Sequence, residues 1–174
     1  MLYALAFIAA LVVVVLIAAS RQPDMFRVER STTIAAPPTI IAAQIDDFHN
    51  FQKWSPFVAY DPNMQTTYSG PPSGVGASMA WSGNSKAGQG TMTVLEERPD
   101  LIRFKLEFTK PFAATNSAEF TFQPEANGTR VTWAMIGHNT FMFKIMHIVM
   151  SMDKMVGGDF DRGLANLKTL VEAK

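Results

Sequence analysis

The sequence predicts an α+β fold in which a seven-stranded antiparallel sheet packs on a long C-terminal helix, behind an apolar N-terminal helix. Three observations predict it. Residues 2–19 carry no charge. Seven later runs alternate apolar and polar residues, with Gly, Pro, Asn and Asp between them. The last twenty-odd residues carry apolar side chains at spacings of three and four.

The stretch "LYALAFIAALVVVVLIAA" has eighteen uncharged residues. As a helix it reaches roughly 27 Å, close to the thickness of a hydrocarbon core. A signal peptide starts with a basic residue and keeps its apolar run to about 7–15 residues. Here no basic side chain precedes the run, and the run is longer, although "AAS" at Ala18 to Ser20 offers a cleavage site. A buried core helix is the other alternative, but a helix apolar all round needs a larger protein to hide it. The expectation is an uncleaved single-pass transmembrane anchor over residues 1–20. Arg21, Arg27 and Arg30 follow it, which places the remaining chain on the cytoplasmic side.

Residues 21–25 read as a polar linker and 26–174 as one domain, a size that supports a sizeable core. "MFRVERSTTI" alternates as a half-buried strand. Pro37 and Pro38 stop it and suit the first turn of a helix through "TIIAAQIDDF", followed by a helical turn over Phe48 to Phe51. Six more strand-like runs come next: "MQTTYSG", "GASMAWSG", "GTMTVLEERP", "LIRFKLEFTKP", "TNSAEFTFQP" and "GTRVTWAMIG". In "IRFKLEF", Ile102, Phe104, Leu106 and Phe108 share one face, and Arg103, Lys105 and Glu107 share the other. "FMFKIMHIVM" reads as a short apolar helix. Met152, Val156, Phe160, Leu164, Leu167 and Val171 then form the stripe of a long one. Gly157 and Gly158 interrupt that helix, so it bends there or something approaches closely.

Fifteen basic and fifteen acidic residues balance at a pI near 6.8, which leaves no field to attract nucleic acid. The absence of cysteine excludes disulfides and thiolate chemistry. His49, His138 and His147 show no metal-ligand spacing and read as surface or boundary residues, and neither a metal nor a cofactor is expected. The glycines of "GPPSGVG" lie between strands and make a turn, and "NGT" at Asn127 to Thr129 is first of all a hairpin tip. Asp46 and Asp47 sit where a cap is needed. The charges of the last helix, among them Asp153, Lys154, Asp159, Asp161 and Arg162, fit a solvated face or local i, i+3 pairs, with one of the set able to turn inward for acid-base work, Asp153 and Arg162 the first to test. No pair has the spacing of a general acid and base.

Four phrases carry a resemblance: "TIAAPPTIIAAQIDDFHNFQKWSPF", "YSGPPSGVGASMAWSGN", "AEFTFQPEANGTRVTWAM" and "MDKMVGGDFDRGLANLK". With the order of elements, they resemble the START-related SRPBCC superfamily, in its polyketide cyclase/dehydratase-like branch. The resemblance implies a helix-grip fold, a curved sheet wrapped on the C-terminal helix, with an apolar cavity between them for lipids, polyketides or other hydrophobic molecules. It places Phe51, Trp54 and Phe57 near the cavity entrance. The ligand-binding residues it points to are Trp54, Phe57, Trp81, Phe104, Phe120, Trp133, Met135 and Phe160, several of which are equally expected as plain core. The expected function is membrane-anchored binding of a hydrophobic small molecule or lipid, as carrier or sensor. The alternative is a polyketide cyclase or dehydratase in the same cavity. A third reading, a docking module whose eleven methionines fill the space, also stands.

Overall fold

A computed structural model describes residues 2–149 and 151–173. Helix α1 (Leu2–Ser20) leads into β1 (Met25–Ile34), and α2 (Pro38–Ala42), α3 (Phe48–Phe51) and a 3-10 turn (Pro56–Tyr60) follow. Six strands come next: β2 (Gln65–Ser69), β3 (Ser78–Ser82), β4 (Gln89–Arg98), β5 (Leu101–Lys110), β6 (Ala114–Glu125) and β7 (Gly128–His138). Helices α4 (Phe141–Val149) and α5 (Met152–Glu172) close the chain.

The strands form one sheet in the order β1-β7-β6-β5-β4-β3-β2, antiparallel throughout. The first strand therefore closes beside the last, from Met25 opposite His138 to Ile34 opposite Thr129. Register shifts at Gln89/Gly90 and Val94/Glu96 bend β4 and help the sheet curl around α5. The result is a helix-grip fold. On the convex side, Arg103 bridges Glu96 and Glu119, and Lys105 meets Glu107, which accounts for the polar half of the alternation.

Along one half of the concave side the space is filled. Ile34, Ile41, Ile45, Phe48, Trp54, Ile102, Phe104, Leu164 and Leu167 form a continuous buried cluster. Trp54 is its clamp: its indole N–H donates to the Gln44 carbonyl (2.8 Å), and its own carbonyl accepts from the Asn166 side chain of α5 (3.1 Å). Those bonds also explain why α2 is shorter than its sequence predicts. The carbonyls of Ala43 and Gln44 are taken by Asn50 and Trp54, outside any helical ladder, and Asp47 caps α3 by accepting from the His49 N–H (2.8 Å).

Helix α5 begins at a Ser151 cap and runs unbroken through both glycines. A side chain makes the close approach at Gly157. The Arg30 guanidinium of β1 lies over it, held by Asp153 (2.8 Å) and Asp161 (3.2 Å). Gly158 faces open space, and Gly163 sits against Trp133 and Pro56.

These environments give opposite expectations for one chemical change. At Gly163 an added Cβ would lie 2.7 Å from the Trp133 ring and 3.0 Å from Pro56, so Gly163→Ala is expected to destabilise by about 1–3 kcal/mol. At Gly158 the nearest atom is a flexible Arg162 nitrogen at 3.9 Å, and Gly158→Ala is expected to stabilise by up to about 1 kcal/mol. Urea denaturation of the full chain in detergent, followed by tryptophan fluorescence, checks both signs.

Candidate functional site

The apolar face of the sheet changes character along each strand. On β5, Ile102 and Phe104 are fully buried, Phe104 against Phe48 of α3, whereas Leu106 and Phe108, on the same face, are half-buried in the cavity wall. The short helices cover only one half of the grip. Over the other half lies a cavity of about 670 Å³, within the range of small-molecule sites. Its walls are the β3–β7 side chains Met79, Trp81, Met92, Leu106, Phe108, Phe120 and Met135, the α5 residues Met152, Val156 and Phe160, and Phe51 and Phe57.

Trp133 of β7 forms the floor. Its indole is stacked on Phe160 of α5 (4.2 Å between centroids, 9° between planes) and on Phe120 of β6 (5.0 Å, 25°). Phe51, Trp54 and Phe57 meet it edge-on at 6.4, 5.6 and 6.1 Å. Trp81 leans on Phe108 and donates from its indole N–H to the Ala87 carbonyl (3.0 Å) at one side of the mouth.

Of the eight residues expected from the sequence, Phe57, Trp81, Phe120, Trp133, Met135 and Phe160 line the cavity. Trp54 and Phe104, 1% and 0% exposed, stand behind the wall in the filled half. Phe51, three residues before Trp54, reaches the lining, so the segment from Phe51 to Phe57 contributes both wall and core. Asp153 faces away, paired with Arg30, which holds its carboxyl below the usual carboxylate range through a hydrogen bond. His49 stacks on Tyr68 outside the cavity (4.0 Å), and the side chain of His147 lies outside the described part.

Sequence reasoning did not single out the polar group in the wall. Asp159 on α5 is 4% exposed, and among the described residues it is the one buried carboxylate. Its oxygens accept from the Tyr60 hydroxyl (2.5 Å) and from Arg162, whose guanidinium reaches it from the exposed side. A buried charge needs such partners. Arg162 is thus drawn to the site through Asp159. Tyr60 and Asp159 both line the cavity, and so do two amides whose protein contacts are weak. Gln52 donates to the Met79 sulfur (3.1 Å) and Asn116 to the Met135 sulfur (4.0 Å), a poor acceptor in each case. An apolar chamber with a few convergent polar groups suits a largely apolar molecule with one polar end. Among the described residues, no cluster of His, Asp or Glu has the arrangement of a metal site.

The class of protein follows from these features: a helix-grip fold enclosing an apolar cavity. The chain belongs to the family described as "Polyketide cyclase / dehydrase and lipid transport", whose profile matches residues 25–172. Solved structures share the fold at low identity. Protein CV1439 from Chromobacterium violaceum is 18% identical, with 87% of this chain and 99% of that one aligned and a TM-score of 0.59. Protein MLL2253 from Mesorhizobium loti is 17% identical over 86% and 98%, at 0.60. The di-domain ARO/CYC StfQ of the steffimycin biosynthetic pathway is 10% identical over 86% and 51%, at 0.61. No curated protein matches the sequence.

Burial, and then the Asp159 carboxylate, push the Tyr60 phenol above its ordinary value of 10.0. The folded chain holds that proton more firmly than the unfolded one. The stability Tyr60 contributes is therefore fully present below pH 10.0 and is lost as pH rises through the higher folded value. In an alkaline absorbance titration, the difference between the wild type and Tyr60→Phe should show a phenol transition centred above pH 10.0; a midpoint at or below that value contradicts the placement.

Proposed function

We propose that this chain is a membrane-anchored protein that holds a hydrophobic small molecule or lipid in the helix-grip cavity, as a carrier or sensor. Residues 1–20 serve as the anchor, 21–25 as the linker and 26–174 as the binding domain, on the cytoplasmic side. The observation that carries the reading is the cavity itself, about 670 Å³ and walled by aromatic and Met side chains. The family description, which includes lipid transport, supports it. Helix α1 is long and apolar enough to span a membrane, and a binder of bilayer-soluble molecules gains from standing beside its source. Phe57, Trp81, Phe120, Trp133, Met135 and Phe160 contact the apolar body, with Trp54 and Phe104 supporting them from behind. Tyr60, Gln52 and Asn116 take the polar end.

A cyclase or dehydratase is the second reading, favoured by one observation: the Tyr60–Asp159–Arg162 group gives an apolar chamber a single phenol in its wall that can exchange a proton with a bound carbonyl. The two readings part on Tyr60→Phe. A carrier keeps its cargo with altered affinity, whereas an enzyme keeps binding and loses turnover.

Native mass spectrometry with lipid extraction on the full chain from its own cells tests the proposal. The wild type should carry a stoichiometric apolar adduct. Leu106→Trp and Met92→Trp, cross-strand neighbours that fill the chamber from its sheet wall, should each reduce its occupancy at least tenfold while remaining folded, a difference of about 1.4 kcal/mol. A wild type without adduct, or filled variants that retain it, would contradict the proposal.

A further inference from the structure

We infer that the mouth of the cavity is itself seated in the bilayer, with α4 and the β5–β6 loop forming a membrane-facing rim through which an acyl chain or similar lipid moves sideways into the cavity. The inference rests on reading α1 as a membrane anchor and adds where the mouth sits relative to it.

Helix α1 packs against α4. Among the described residues of α1 the rest are exposed, but Val15 and Ala18 are half-buried and Ala19 is buried, at the i, i+3, i+4 spacing of one helical face. These residues lie in the last turns of α1, within about 8 Å of its end by helical rise. A helix leaning on them cannot stand away from the membrane surface. The connection is also short and tied down. Residues 21–24 alone separate α1 from β1, Asp24 pairs with Lys144 of α4, and the Asn139 side chain donates to the Pro23 carbonyl (3.0 Å).

The side of the cavity that this packing presents to the bilayer is its apolar rim. Phe143 of α4 and Phe112 of the β5–β6 loop both line the mouth, their rings edge-on at 6.2 Å. Phe112 is 58% exposed and Phe141 51%. Met155, at the start of α5, extends the exposed rim. Large apolar side chains clustered at an opening are costly in water and favourable at the acyl boundary, where an interfacial helix buries its apolar face. Lys110 and Lys86, also at the mouth, have stems long enough to keep their ammonium groups among lipid headgroups. Such a rim lets a lipid enter without crossing water, which fits a cavity whose floor is apolar.

The chain has no cysteine, so single replacements can be labelled cleanly. A nitroxide is placed in turn at Val12→Cys, Phe112→Cys, Phe141→Cys and Val75→Cys in the full chain, reconstituted into phosphatidylcholine vesicles. Val75, in the β2–β3 loop, is the control, as apolar and as exposed (58%) as Phe112. Relaxation by oxygen, which concentrates in the bilayer, is compared with relaxation by a water-soluble nickel chelate. Positions 12, 112 and 141 are expected to favour oxygen and position 75 the nickel chelate. If 112 and 141 behave like 75 while 12 remains embedded, the rim is wet and the inference is overturned with the anchor intact. If 12 also behaves like 75, the anchor reading falls and this inference falls with it.

Discussion

Trp133 stands where the sheet, the C-terminal helix and the cavity meet. Sandwiched between Phe120 and Phe160, it ties β6 and β7 to α5 through two stacked ring faces. Buried aromatic pairs of this kind contribute about 0.5–1.5 kcal/mol each beyond their area. The sandwich also fixes how close the helix comes to the sheet. Gly163, one turn along α5 from Phe160, lets the helix backbone settle against the same indole. A bulkier floor would push α5 away, and a smaller one would let it collapse into the chamber.

The chamber persists because the grip is filled from one end only. Trp54 pins the α2–α3 segment to the end that holds Phe104, Leu164 and Leu167, and its hydrogen bonds to Gln44 and from Asn166 use up the polar groups that would otherwise let that segment slide. Beyond it, Leu106, Phe108 and Met92 continue the same apolar face into the wall of the cavity. Methionine suits this wall, since a flexible, polarizable side chain adapts to ligands of different outline. The buried Asp159, neutralised by Arg162 and bonded by Tyr60, supplies one polar point without leaving an unpaired charge in the wall.

The strands were legible in the sequence because alternation in a half-buried sheet has a fixed period, and "IRFKLEF" states both faces at once. The long stripe of α5 was legible for the same reason at a period near 3.6. Other features depend on contacts that no local pattern encodes. Trp54 and Phe57 are three residues apart, yet one indole turns into the core to meet the Gln44 carbonyl and the other ring faces the cavity. Phe104 and Leu106 share a strand face and differ only in whether α3 covers them. Asp159 looked like one more charge on a solvated helix, since its partner Tyr60 is ninety-nine residues away. Gly157 signalled a close approach, but nothing nearby announced that Arg30 of the first strand makes it.

A crystal structure of the full chain, purified without delipidation, tests the central claim most directly, because it shows both the shape of the chamber and its contents. Elongated density is expected inside the chamber, with its apolar end toward Met92 and its polar end within hydrogen-bonding distance of Tyr60. Side chains of Met79, Met92, Phe108 and Met135 meeting across the space, with no density between them, would contradict it.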